Sequence, residues 1–241
     1  MSINPTFSGV GQDGDMPAGR SLGSQAFRMR EVAIPPRGLA GTLRLPARAR
    51  GVVVFAHGSG SSRRSPRNIA VAETLAAHGY ASLLFDLLTV AEEADRANVF
   101  DIGLLSVRLI DAVRWVQGEE PVRGLPVGLF GASTGAAAAL VAAAELGSDI
   151  AALVSRGGRP DLAGDALARV RTPSLLIVGG ADEPVIALNR SALARLKAEK
   201  SLVIVPGATH LFPESGALEA VIEHAVQWFD LHIAQAQDGR R

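Results

Sequence analysis

The sequence predicts an α/β fold, a parallel sheet covered by helices on both faces, and three observations carry that prediction. The chain has 241 residues of which 48% are hydrophobic, enough to bury one large core. Short apolar runs of strand length alternate strictly with longer amphipathic ones, the pattern of right-handed βαβ crossovers. No internal repeat or interdomain linker interrupts that alternation.

The elements follow in order. Residues 1–26 are rich in Gly, Ser, Pro and Asp at neither helical nor strand period and read as a flexible tail. Gly9, Gly11 and Gly14 there spell GxGxxG, but no strand precedes them and no amphipathic helix follows, so the match is set aside as chance. Phe27–Ile34 and Leu39–Leu45, parted by Pro35, Pro36 and Gly38, read as an antiparallel hairpin at a sheet edge. Then come strand Gly51–Ala56, helix Asn68–His78, strand Ala81–Phe85, helix Ile102–Gln117 and strand Val127–Phe130. The second half continues with helix Thr134–Leu146, strands Ile150–Val154 and Ser174–Val178, helix Ile186–Lys197, strand Ser201–Val205 and helix Leu218–Ile233. A single domain over 27–234 and a short C-terminal tail over 235–241 complete the reading.

Composition removes several function classes. Twenty-four basic residues balance 24 acidic ones, so the broad attraction on which nucleic acid binding depends is missing. The absence of Cys excludes thiol nucleophiles, Cys-ligated zinc and iron–sulfur clusters. No window approaches the roughly 18 apolar residues of a membrane span. The N-terminus lacks the basic and apolar regions of a signal peptide, which makes the cytoplasm the expected location. His57 and His78 lack metal-ligand spacing and no carboxylate cluster accompanies them, so neither a metal nor a cofactor is expected.

In an open parallel sheet the chemistry collects in loops at the carboxyl ends of the strands. Strand Val127–Phe130 runs into Gly131-Ala132-Ser133-Thr134-Gly135 and then into an Ala-rich helix. That is GxSxG between a strand and a helix, a sharp turn that strains the serine and crowds the positions two before and two after it. Ser133 is the expected nucleophile, and the Thr134 N–H at the helix N-terminus an oxyanion donor.

A serine hydroxyl needs a base. Of five histidines, His78 sits at a helix end, His224 and His232 lie inside the last helix, and His57 precedes the nucleophile. Only His210 follows a late strand and precedes the final helix, as chain order requires. Asp182, in Gly179-Gly180-Ala181-Asp182-Glu183-Pro184 after strand Ser174–Val178, is the expected partner acid. Asp161, which looks like a helix N-cap, and Asp86 are its rivals.

The second oxyanion donor is expected from His57-Gly58-Ser59-Gly60-Ser61-Ser62, whose small residues let backbone approach a substrate. Ser59 N–H is the first choice and Gly60 N–H the second. Nearby Arg63, Arg64 and Arg67, and Arg156 and Arg159 after strand Ile150–Val154, are either solvated charge or groups that greet an anionic substrate. Arg63 and Arg156 are the substrate-binding candidates taken forward.

With Ser133, Asp182, His210 and the His57-Gly58 loop in place, the chain resembles the α/β-hydrolase superfamily, and within it the dienelactone-hydrolase-like branch. The resemblance covers about Glu31 to Phe229 and rests on HGSGSSRRSPRN, LFGASTGAAAAL, VSRGGRPDLAG, LLIVGGADEPV and PGATHLF. It is similar to bacterial hydrolases found alone or fused to phosphoribosyltransferases. The resemblance implies an eight-stranded, mostly parallel sheet and an acyl-enzyme mechanism on an ester, thioester or lactone. It also implies a phosphoribosyltransferase as a candidate partner. Ser133 departs from dienelactone hydrolase itself, which has Cys at the nucleophile position. Many α/β-hydrolases insert a cap domain after the strand that is here Ile150–Val154. Only Ser155 to Thr172 intervene before the next strand, so no cap domain and an open site are expected.

The expected function is therefore a serine hydrolase with a small acyl substrate, monomeric or homodimeric. The alternatives are an inactive binding module on the same fold, and an acyltransferase or peptidase using the same three residues.

Overall fold

The computed structural model describes residues 27–238. The tail expected over 1–26, its Gly9, Gly11 and Gly14 match included, lies outside the described residues, as do residues 239–241. Eight strands form one sheet: β1 Phe27–Ile34, β2 Leu39–Pro46, β3 Gly51–Ala56, β4 Tyr80–Phe85, β5 Val127–Ala132, β6 Ile150–Arg156, β7 Ser174–Gly179 and β8 Lys200–Val205. Their spatial order is β1-β2-β4-β3-β5-β6-β7-β8. β1 pairs with β2, and β2 with β4, antiparallel; all other pairs are parallel. This is the mostly parallel eight-stranded α/β-hydrolase fold that the sequence predicts.

Period-two alternation divides the core into two layers. Val52, Val54, Leu129, Leu153 and Leu176 point to one face. There they pack on α4 (Ile102–Gly118), α5 (Thr134–Leu146) and α6 (Glu183–Arg195). Val53, Phe55, Phe130, Val154 and Ile177 point to the other face, toward α1 (Pro66–Ala77) and α7 (Ala217–Asp238).

Helix ends depart from the sequence reading for identifiable reasons. α1 starts at Pro66 because Ser65 caps it, its hydroxyl accepting the Asn68 N–H at 3.4 Å, and proline suits the first helical position. α6 starts at Glu183 with Pro184 in its first turn. α7 runs to Asp238, four residues into the segment expected as a C-terminal tail. Ala234, Gln235, Ala236 and Gln237 are all good helix formers, and nothing breaks the helix before Gly239. Two short helices went unpredicted, α2 (Val90–Glu93) and α3 (Arg96–Phe100). Thr89-x-x-Glu92 is a complete capping box and Asp95 caps α3, so the signal was present in sequence. Between β6 and β7 only 3₁₀ turns over Pro160–Arg169 intervene, broken at Gly164. No cap domain occupies that position. No described helix is long and apolar enough to cross a membrane.

The connections from β3 and β5 leave toward opposite faces, α1 on one and α5 on the other. A crevice therefore opens at the carboxyl ends of these adjacent strands. It is bounded by the loop after β3 and by Ser133 after β5.

Close packing beneath the sheet gives a direct test. A Cβ on Gly128 of β5 would lie 2.7 Å from Phe229 Cε1 in α7. We expect Gly128→Ala to cost about 1–3 kcal/mol in urea unfolding. Adding Phe229→Leu should recover part of that loss, and strictly additive losses would contradict the packing.

Candidate active site

Ser133 joins β5 to α5 with φ 51° and ψ −119°. A non-glycine residue avoids that region, at a cost of order 1–3 kcal/mol. The neighbouring glycines make the turn feasible. A Cβ on Gly131 would stand 2.5 Å from Ala136 Cα, and one on Gly135 would collide with the carbonyl oxygens of Ala56 and His57. The backbone of Ser133 is gripped on both sides. Its N–H donates to the Arg156 carbonyl at 3.2 Å, and its own carbonyl accepts the N–H groups of Ala136 and Arg159, each at 3.1 Å.

Asp182 and His210 reach this serine from the loops after β7 and β8. His210 Nε2 lies 3.4 Å from Ser133 Oγ, and His210 Nδ1 lies 2.7 Å from Asp182 Oδ2. Asp182 occupies the N-cap position of α6 yet makes no capping bond with its side chain. Its carboxylate is given to the imidazole instead. Two backbone bonds tie the acid loop to the histidine loop, Gly180 N–H to Val205 O at 2.8 Å and Ala181 N–H to Ala208 O at 2.9 Å. The Asp182 side chain is 14% exposed against 38% for His210, so the acid is sheltered and the base reachable from outside.

The oxyanion loop differs from expectation in one bond. Thr134 N–H stands in the first turn of α5, where helix geometry leaves it without an intrahelical acceptor. The Ser59 N–H, expected to be free, donates to Thr134 Oγ1 at 2.9 Å. The cause is local: Thr134 is buried and its side chain lies against a loop of small residues. Gly60, the second choice, takes φ 68° with open space beside it, and its N–H has no acceptor among the described residues.

His57, passed over as a base, has a clear task. Its Nε2 accepts the Leu87 N–H at 3.1 Å, which leaves Nδ1 to donate to the Gly58 carbonyl at 3.0 Å. The ring thereby staples the oxyanion loop to the loop after β4. Burial holds its pKa below the ordinary histidine value, which keeps the bridging neutral form in place.

The cations are distributed otherwise than the sequence suggested. Arg63, taken forward as a substrate-binding residue, is bound to Asp86 through both its backbone N–H and its guanidinium, and its side chain is only 17% exposed. The adjacent strand end supplies the carboxylate, so Arg63 anchors the loop and is not free for substrate. Arg159 is clamped by Asp161 through two bonds of 2.9 and 2.8 Å. Asp161 thus neither caps a helix nor competes for His210, and Asp86 is likewise engaged. Arg156 is buried as the last residue of β6.

A cleft of about 470 Å³ opens beside the oxyanion loop, between Ser59 and Gly60 on one side and Glu93, Arg96, Val99 and Phe100 on the other. The second wall is α2 and α3, the unpredicted pair. Phe100, Leu162 and Leu211 are large apolar side chains exposed on the α3, 3₁₀ and His210 segments.

Sheet order, switch-point crevice and a serine, histidine and carboxylate in line define a protein of the α/β-hydrolase class. The chain matches the dienelactone hydrolase family model over residues 38–230 and belongs to that family. Its fold is that of the α/β-hydrolase class. Proteins of two Mycobacterium tuberculosis strains, provisionally described as phosphoribosyl transferases, are each 57% identical over 203 residues, 84% of this chain and 46% of theirs. The chain thus spans less than half the length of these curated relatives. A dienelactone hydrolase from Anabaena variabilis, known from a crystal structure, is 53% identical with a TM-score of 0.81, covering 86% of this chain and 97% of that one. Est1E from Butyrivibrio proteoclasticus has a TM-score of 0.69 at 19% identity, over 86% of this chain and 99% of its own, a likeness of fold alone.

The His57 staple predicts a pH dependence. With its pKa lowered in the fold, the unfolded chain takes up the proton first as pH falls. The stabilisation is present above the ordinary histidine value of about 6.5 and is lost progressively below it. His232 is shifted the same way and adds its own share. We expect His57→Gln to flatten, without abolishing, the fall in thermal midpoint on acidification. Parallel pH profiles for variant and wild type would refute the staple.

Proposed function

We propose that this protein is a serine hydrolase that cleaves a small carboxylic ester, thioester or lactone through an acyl-enzyme on Ser133. The observation that carries this reading is the continuous line from Ser133 Oγ through His210 to Asp182, at 3.4 and 2.7 Å. As Oγ attacks the acyl carbon, His210 Nε2 takes its proton; Asp182 holds the Nδ1–H tautomer and stabilises the imidazolium. The Thr134 N–H faces the developing oxyanion. Ser59 N–H joins it when its bond to Thr134 Oγ1 is exchanged for a stronger bond to the charged oxygen. His210 then returns the proton to the leaving alcohol or thiol, and water repeats the sequence to release the acid. The open cleft favours water as the acceptor.

A second reading makes the fold a docking module for a phosphoribosyl transferase. It is favoured by the description and greater length of the mycobacterial relatives. One experiment separates the two. A fluorophosphonate probe should label Ser133, mapped by mass spectrometry, and labelling should vanish in Ser133→Ala. On any ester the wild type turns over, Ser133→Ala should lower kcat/KM by roughly 10⁶-fold and Asp182→Asn by roughly 10⁴-fold. A folded wild type that resists the probe, and co-purifies with a transferase, would favour the docking reading.

A further inference from the structure

One buried charge in the described structure has no counter-charge. Arg156 continues the face of β6 that carries Ala152 and Val154, so its side chain enters the layer of α1 and α7. It is 6% exposed. Its Nη2 donates to Asn68 Oδ1 at 3.3 Å, while Nε and Nη1 are buried with no partner among the described residues. Arg67, beside Asn68 in the first turn of α1, also has a buried Nε without a partner. Neither guanidinium is in an ion pair among the described residues.

Arg108 pairs with Glu92 at 2.6 Å. Arg44 also buries Nε and Nη1 without a partner, and burial lowers its pKa, but the charges acting on it are the acids Glu73 and Glu31. For Arg156 the charge that matters is another cation. Burial first, and then Arg67, pull its pKa down to about 10, which still leaves it charged at neutral pH. The buried Arg156 guanidinium and the partly exposed Arg67 lie with the N-terminus of a 12-residue helix, whose dipole adds positive potential. Such an arrangement is costly unless an anion completes it. Because Asn68 Oδ1 accepts from Arg156, its amide NH₂ is left to donate.

The backbone that carries Arg156 borders Ser133 and His210. The Arg156 carbonyl accepts the Ser133 N–H, and a Cβ on the following Gly157 would lie 3.0 Å from His210 O and 3.6 Å from His210 Cε1. We infer that Arg156, Arg67 and Asn68 form a subsite for a phosphate dianion carried by the acyl substrate. Two cations and a helix N-terminus match a doubly charged group better than a single carboxylate. The inference rests on the serine hydrolase reading only for calling the ligand a substrate; the anion site stands on its own geometry.

The test uses inorganic phosphate and the full chain. Titrated calorimetrically into Ser133→Ala at constant ionic strength, phosphate should bind saturably and more tightly than acetate or chloride. Adding Arg67→Gln or Arg156→Gln should weaken it about tenfold or more. Arg156→Lys, which keeps the charge but loses the planar fork, should fall between. Arg67 is partly exposed, so its variant remains informative if Arg156→Gln does not fold. Undiminished phosphate affinity in Arg67→Gln, no saturable binding, or equal affinity for acetate would each overturn the subsite. Fluorophosphonate labelling without phosphate binding would remove the subsite and keep the hydrolase. Phosphate binding in a wild type that resists the probe would do the reverse.

Discussion

The approach of α5 to the sheet governs the carboxyl edge of the molecule. Ala136 comes so near Gly131, and Gly135 so near the end of β3, that side chains at either glycine are excluded. The chain turns the corner only by placing Ser133 at positive φ. That strain is held by three backbone hydrogen bonds, to Arg156, Ala136 and Arg159. The serine is thus presented by the tightest packing in its neighbourhood, and the loops of β3, β6, β7 and β8 are arranged around it. For the proposed hydrolase this rigidity has a chemical use, because a hydroxyl fixed before substrate arrives needs little reorganisation to attack.

Around that fixed point the edge carries three carboxylates at strand ends, and their partners divide the labour. Asp86 is neutralised by Arg63 and Asp161 by Arg159. Asp182 has only an imidazole, and so it alone can stabilise a charge that appears during a reaction. Arg63 and Arg159, two of the five arginines that the sequence offers for an anionic substrate, act instead to silence the competing acids. Arg156, three residues before Arg159 in the chain, is a buried cation without a counter-charge among the described residues.

Most of the architecture was legible because strands buried on both faces read as unbroken apolar runs and their helices as amphipathic ones. β1, β3 and α5 match their predicted bounds. The line of Ser133, Asp182 and His210 was legible because strand ends, glycines and chain order are all properties of sequence. What escaped depends on side chains meeting across the fold. Nothing near Arg63 in sequence announces Asp86, and nothing near Ser59 announces the Thr134 hydroxyl. His57 could be dismissed as a base from chain order, but its grip on the Leu87 loop needed the distance across two strand ends. α2 and α3 were readable from Thr89, Glu92 and Asp95, yet with four and five residues they show no amphipathic period.

Those two helices contribute no buried residue to the core, although they form a wall of the cleft. The wall is joined to the framework through the Glu92–Arg108 bond and through Val99, which packs against the core. Substitutions at the exposed Arg96 or Phe100 alter the shape and charge of that wall with little effect on folding, whereas substitutions at Gly131 or Gly135 act on the scaffold itself. A lineage built this way can drift among substrates by rewriting one small exposed patch, its stability threshold untouched.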